Sequence, residues 1–191
     1  MRIAVLASGS GTILQAMIEA SIPIQLVVTD RECTAETIAT HNNITLVRVE
    51  RDSYGKDFDR DTYTCEVRDA LIDHEIDLIA MAGFGTILNK PIYDDFSNRI
   101  LNTHPSLLPS FPGWHAVEEA LEYGVKVTGC TVHIATEEVD AGPILAQESI
   151  PVLKDDTKET LHERIKKVER QLYVDTLNKI IATNGQIERD Q

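Results

Sequence analysis

Three stretches of this chain combine residue types that do chemistry. The first is Asn102-Thr103-His104-Pro105-Ser106-Leu107-Leu108-Pro109. An imidazole shuttles protons near neutral pH, and an Asn amide donates a hydrogen bond to an oxygen that gains charge as a carbonyl becomes tetrahedral. Asn102 and His104 are two apart, so in an extended segment both face the same side. Pro105, Pro109 and Pro112 stiffen the loop around them. The second stretch is Glu137-Glu138-Val139-Asp140-Ala141-Gly142-Pro143. A carboxylate from this turn, placed beside His104, stabilises an imidazolium and orients the ring. His133, just before the turn, reads equally as a second member of that polar cluster or as a packed residue. The third stretch is Ser8-Gly9-Ser10-Gly11-Thr12. Between a strand and a helix, its glycines let the backbone approach a ligand, and free N–H groups at the helix start grip a phosphate. A dinucleotide fingerprint requires another glycine at position 14, where Leu14 stands, so a mononucleotide phosphate fits better. Lys166 and Glu169 are three apart and share one helix face, either as a binding pair or as a surface ion pair.

The elements that must position these groups are legible in outline. Strands are expected at 2–6, 24–28, 44–49 and 77–81, separated by helices at 11–20, 35–41 and 58–74. This alternation implies right-handed crossovers and a mostly parallel sheet with helices on both faces, an α/β Rossmann-like class. A short strand at 99–102 leads into the proline-rich loop, and a helix at 114–123 ends at Gly124. Strands at 127–135 and 144–152, around a turn at 136–143, extend the sheet antiparallel at its edge. A long helix at 158–183 follows, because Leu161, Ile165, Val168 and Leu172 recur as one helix face requires. Asp156 or Thr157 caps it. The crowded loop makes Leu108–Pro109 a candidate cis bond.

A chain of 191 residues with a net charge of −13 fits one domain and disfavours a nucleic-acid or anionic-membrane surface as partner. Cys33, Cys65 and Cys130 are odd in number and widely spaced, so neither a disulfide framework nor a zinc knuckle is expected. Free thiols suit the reducing cytoplasm. The apolar start at 3–6 runs straight into glycines and reads as a buried strand. No apolar run approaches the ~20 residues that cross a bilayer.

Four motifs in this order resemble one family: Ser-Gly-x-Gly-(Ser/Thr) at 8–12, Gly-Phe-x-x-Ile-Leu at 83–88, Asn-x-His-Pro-(Ser/Ala)-Leu-Leu-Pro-x-(Phe/Tyr)-Pro-Gly at 102–113, and Asp-x-Gly-Pro at 140–143. The chain is similar to the folate-dependent formyltransferases over roughly 2–183, and its opening motif points to the branch that acts on glycinamide ribonucleotide. The resemblance implies formyl transfer from 10-formyltetrahydrofolate to the amine of that nucleotide, without a metal. It implies Asn102, His104 and Asp140 as the catalytic trio, and Gly11, Thr12 and Ile13 as the phosphate-binding segment. Glu169 falls to the ribose hydroxyls and Lys166 to the phosphate or glycyl end. Phe84, Ile87 and Leu88 line the pterin slot, helped by backbone of the 136–140 turn, with Asp140 also counted there. The chain then divides into a phosphate-binding half (1–100), a catalytic and folate-binding half (101–184) and a polar tail (185–191). It is expected to act as a monomer or homodimer. Two departures stand out: Ile13 replaces a common Asn, and Gly85-Thr86 replaces a common Met-Arg.

Rival readings predict other features. A formyltransferase acting on tRNA usually carries a basic C-terminal domain, whereas this chain is acidic. A hydrolase of the same folate usually has an N-terminal regulatory domain, whereas here a strand is expected from the first residues. A nicotinamide-dependent dehydrogenase would use Asp30 as its ribose acid. A non-catalytic nucleotide sensor needs only the phosphate loop.

Overall fold

A computed structural model describes residues 1–51, 53, 55 and 57–187. Of the expected polar tail, 188–191 lie outside the described residues. Seven strands form one mixed sheet in the order β3-β2-β1-β4-β5-β6-β7: β1 (Ile3–Ala7), β2 (Ile24–Thr29), β3 (Thr45–Arg48), β4 (Leu78–Met81), β5 (Ile100–His104), β6 (Val127–Ile134) and β7 (Ile144–Pro151). The chain separates into two compact units, Met1–Leu101 and Asn102–Gln191.

The first unit is built on parallel pairs β1·β2, β1·β4, β2·β3 and β4·β5. All five residues of β1 are buried, as a central parallel strand covered on both faces demands. Helix α1 (Thr12–Glu19) buries Ile13, Leu14 and Met17, and α3 (Arg60–Asp73) buries Val67 and Leu71. Between them α2 (Thr34–His41) connects β2 to β3. The start of α3 is set by Asp59, whose side chain accepts the Thr62 N–H at 3.0 Å. A short helix, α4 (Lys90–Asp95), was not expected; its single buried residue, Ile92, leaves no periodic signature. Strand order reverses between β1 and β4: the chain runs outward through β2 and β3, then returns to the other side of β1. Such a switch, at the carboxyl ends of the two strands, is where open α/β sheets bind ligands. The segments leaving those ends are 8–12 and 83–88.

In the second unit β6 and β7 pair antiparallel, with a register shift at Val132/His133. Helix α5 (Ala116–Tyr123) ends on Gly124, whose φ of 80° supplies the left-handed C-cap. It begins two residues later than expected, leaving Trp114 exposed. Helix α6 (Lys158–Ala182) opens with a capping box made by Thr157 and Thr160. Thr157 is thus the cap, while Asp156 pairs with Arg164 instead. Leu161 and Ile165 pack with Val117, Cys130 and Ile150, and Val168 and Leu172 lie against that cluster. Burial pushes the Cys130 thiol up to about 12, so it is a packed group rather than a nucleophile.

Candidate active site

Strand β5 runs two residues beyond the sequence expectation, so Asn102 and His104 sit on a strand rather than one in a loop. The reason is sterics: Pro105 ends the strand, and a residue before proline favours extended backbone. His104 is buried. Its Nδ1 stands 3.3 Å from Oδ2 of Asp140, and its Nε2 donates to the Phe111 carbonyl at 2.7 Å. Asp140 comes from the turn between β6 and β7, 36 residues further along the chain. Its backbone is left-handed at φ 56°, and its side chain is buried. The following Gly142 is obligatory, because a Cβ there would lie 1.8 Å from the Ile134 carbonyl oxygen.

Asp140 is the hub of this cluster. Its Oδ2 also accepts the Gly113 N–H at 2.8 Å, and its Oδ1 lies 3.6 Å from Nε2 of His133. Burial raises the Asp140 pKa, but the neighbouring His133 ring, the Gly113 N–H and the charge of His104 outweigh that, leaving it below the usual carboxylate value. The structure settles the two readings of His133: it belongs to the polar cluster. Its Nδ1 donates to the Ile134 carbonyl at 3.0 Å, and Nε2 faces the Asn102 amide nitrogen at 3.2 Å. Asn102, His104, His133 and Asp140 therefore form one connected group. An amide carries two N–H donors, so Asn102 keeps one beyond its contact with His133. The single Nε2 hydrogen of His104 is held by Phe111.

The loop following β5 is pinned from β6 and β7. Thr131 Oγ1 donates to the Ser106 carbonyl at 2.7 Å and accepts the Leu108 N–H at 3.1 Å. Gln147 donates to the Leu108 carbonyl and to Thr131, both at 2.9 Å. Leu108–Pro109 is cis. Sequence reasoning missed Thr131 and Gln147; alternation along β6 puts Thr131 and His133 on one face, which is the signal that was available.

Glu169 and Lys166 are not an ion pair. Glu169 is buried on α6, and its Oε1 accepts the Thr103 hydroxyl at 2.9 Å. Burial raises its pKa against the opposing pull of the Thr103 hydrogen bond and the Lys166 charge. Lys166 pairs instead with Glu163 at 3.0 Å.

In the first unit, Gly11 caps α1 with φ 68°, and no side chain caps the helix. The first N–H groups of α1 thus have no side-chain acceptor, the condition for anion binding at a helix start. Thr12 is exposed, whereas the Ile13 side chain is in the core and offers a ligand only its N–H. Phe84 and Leu88 are buried, while Ile87 presents about a third of its surface (36%). A Cβ added to Gly83 would meet nothing within 4 Å, so the backbone there borders open space. Asp30 does not serve as a free ribose acid. It is fully buried, chelated by Arg31 through two bonds of 2.9 Å, and accepts the Thr86 hydroxyl at 2.8 Å. The dehydrogenase reading loses its acidic residue there. Among the described residues no group of three or more His, Cys, Asp or Glu side chains is arranged to hold a metal. None of the described helices is long and apolar enough to cross a membrane.

A Rossmann-like sheet with Asn and His on one strand, joined to an aspartate from an antiparallel turn, defines a group-transfer enzyme. The chain belongs to the formyl transferase family, whose pattern matches residues 1–177. It is 44% identical over 189 residues to the phosphoribosylglycinamide formyltransferase of Mycobacterium tuberculosis, covering 96% of this chain and 86% of that one. Crystal structures tell the same story. Glycinamide ribonucleotide transformylase 1 from Symbiobacterium toebii superposes with a TM-score of 0.88 at 39% identity, over 96% of this chain and 88% of that one. Phosphoribosylglycinamide formyltransferase from Bacillus halodurans gives a TM-score of 0.88 at 34% identity over the full length of both.

Proposed function

We propose that this chain is a single-domain enzyme that transfers the formyl group of 10-formyltetrahydrofolate to the amine of glycinamide ribonucleotide, giving formylglycinamide ribonucleotide and tetrahydrofolate in purine biosynthesis. The observation that carries the reading is the His104–Asp140 contact of 3.3 Å on a strand that also bears Asn102.

Asn102, His104 and Asp140 take the catalytic roles. As the amine attacks the formyl carbon, charge gathers on the formyl oxygen. The spare N–H of Asn102 donates to that oxygen, and His104 joins by exchanging the Phe111 carbonyl for it. Asp140 stabilises the charged ring, and the amine's proton passes to the leaving folate nitrogen directly or through water held by Asp140. The N–H groups at Gly11, Thr12 and Ile13, with the Thr12 hydroxyl, grip the nucleotide phosphate. Glu169 accepts from the ribose hydroxyls, and Lys166 turns from Glu163 toward the phosphate or glycyl end. The folate ring fits against the exposed face of Ile87 and the open backbone at Gly83, with Phe84 and Leu88 backing the slot from the core. The enzyme works in the cytoplasm, as a monomer or homodimer, where its free thiols stay reduced.

The test is an absorbance assay with both substrates, run beside an assay for plain folate hydrolysis. Formyl transfer that requires glycinamide ribonucleotide, and that drops in Asn102→Ala, is expected. Hydrolysis without nucleotide dependence would overturn the reading in favour of a hydrolase.

A further inference from the structure

The segments that leave β1 and β4 are tied to each other beyond the end of the sheet. The two strands pair in parallel as far as Leu6 and Met81. Past that point two backbone bonds carry the pairing on. The Ala82 N–H donates to the Leu6 carbonyl at 2.8 Å, and the Ser8 N–H donates to the Gly83 carbonyl at 3.1 Å. Gly83 then turns the chain with a left-handed φ of 71°. The next tie is made by a side chain: the Ser8 hydroxyl oxygen accepts the Gly85 N–H at 2.5 Å. Ser8 thus holds both ends of Gly83-Phe84-Gly85. A Cβ at position 85 would lie 3.3 Å from Oγ of Ser8 and 3.5 Å from its Cβ, so glycine, where Met is common, leaves this approach uncrowded.

We propose that Ser8 is a positioning residue that couples nucleotide binding to folate binding, because its hydroxyl orders the loop after β1 and the segment after β4 together. The inference rests on the reading above, in which the start of α1 takes the nucleotide phosphate and the 83–88 segment meets the folate. Three physical points support it. Both segments leave adjacent strands at the topological switch, where an open α/β sheet gathers its ligands. The Gly85 N–H is partly buried, and without the Ser8 oxygen it would lose its acceptor, which costs free energy and loosens the segment. A ligand that orders one segment through this tie leaves less entropy to be lost at the other, so the second ligand binds more tightly. Ser8 touches neither ligand in this scheme; it acts through Gly83 and Gly85.

The test is calorimetric titration of glycinamide ribonucleotide, alone and with saturating tetrahydrofolate, which has no formyl group to give. In the parent the folate should tighten the nucleotide Kd by about 3- to 10-fold, the worth of one hydrogen bond. The nucleotide should tighten the folate Kd by the same factor, as linkage requires. Ser8→Ala should bring both factors close to one, and Ser8→Thr, which keeps the acceptor, should restore them. A merely structural role would lower the melting temperature or weaken each ligand singly while leaving the factor between them intact. Coupling that is absent in the parent, kept in Ser8→Ala or not restored in Ser8→Thr overturns the proposal. If Ser8→Ala does not fold, Ser8→Cys, whose thiol is a weak acceptor, takes its place: a reduced factor supports the tie and an unchanged one refutes it. Two ligands that bind independently sink the coupling alone, whereas a parent that binds neither sinks the underlying reading as well.

Discussion

In the proposed reading the two units bind and act by different means. At the carboxyl ends of β1 and β4, the groups proposed to meet a ligand are mainly backbone: the N–H donors at the start of α1 and the open chain at Gly83. The side chains around them are core or scaffold, as with Ile13, Leu88, Thr86 and Asp30. Around β5 and the β6–β7 turn, the groups proposed to work are side chains, and each is held by another: His104 by Phe111 and Asp140, Asp140 by Gly113, Glu169 by Thr103. Backbone sites tolerate a changed side chain as long as the turn is kept, and Ile13, its side chain in the core, would offer a phosphate only its N–H. A side-chain site has no such reserve.

That contrast can be broken most sharply at Asp140. Asp140→Asn should lower kcat about 10²- to 10⁴-fold, the range for a lost acid–base group, and Asn102→Ala about 10²- to 10³-fold, as for a lost oxyanion donor; steady-state rates on folded protein check both. Next comes Glu169→Gln, where loss of a charged acceptor should raise the nucleotide KM about tenfold or more. Because burial raises the Glu169 pKa, nucleotide affinity in the parent should begin to fall, as the solution is acidified, above the ordinary glutamate range, and the variant's KM should lack that limb. The sign for stability is the reverse of that for Asp140. The depressed pKa of Asp140 contributes stability that is present above its unfolded value and is lost as pH falls through the folded one. The raised pKa of Glu169 contributes stability that is present below its unfolded value and is lost as pH rises through the folded one. Thermal unfolding across pH should therefore show Glu169→Gln gaining on the parent toward neutrality. A smaller effect is expected at Thr12→Ala, about 3- to 10-fold in nucleotide KM, since only a hydroxyl is removed from a backbone-built site. The smallest belongs to Ile13→Val: an unchanged KM with about 0.5–1.5 kcal/mol less stability. A large KM change there would show that the side chain, not the backbone, meets the phosphate.

Local pattern carried far in this chain. The continuous apolar run of β1, the four-three-four spacing along α6 and the glycine stop after α5 are each short-range signals, and each element formed. The facing of Asn102 and His104 followed from alternation alone. Element ends were less legible: β5 continued to His104 because Pro105, not composition, terminates it, and α4 escaped notice because one buried residue makes no period. His133 stayed open for a physical reason. A histidine on a buried strand face looks the same in sequence whether its ring meets methyl groups or a carboxylate.

The order of residues by itself determined the class of fold, the chemistry-bearing types and their placement at strand ends, because these depend on alternation, turn residues and neighbours a few positions apart. Only the tertiary structure decided which acid meets His104. Asp140 reaches His104 across 36 residues because a left-handed turn and an obligatory Gly142 aim it there. Asp30, equally well placed by sequence to hold a ribose, is instead enclosed by Arg31 and Thr86. Desolvation and hydrogen-bond donors from distant segments set the role of a carboxylate, and neither is written in its sequence neighbours.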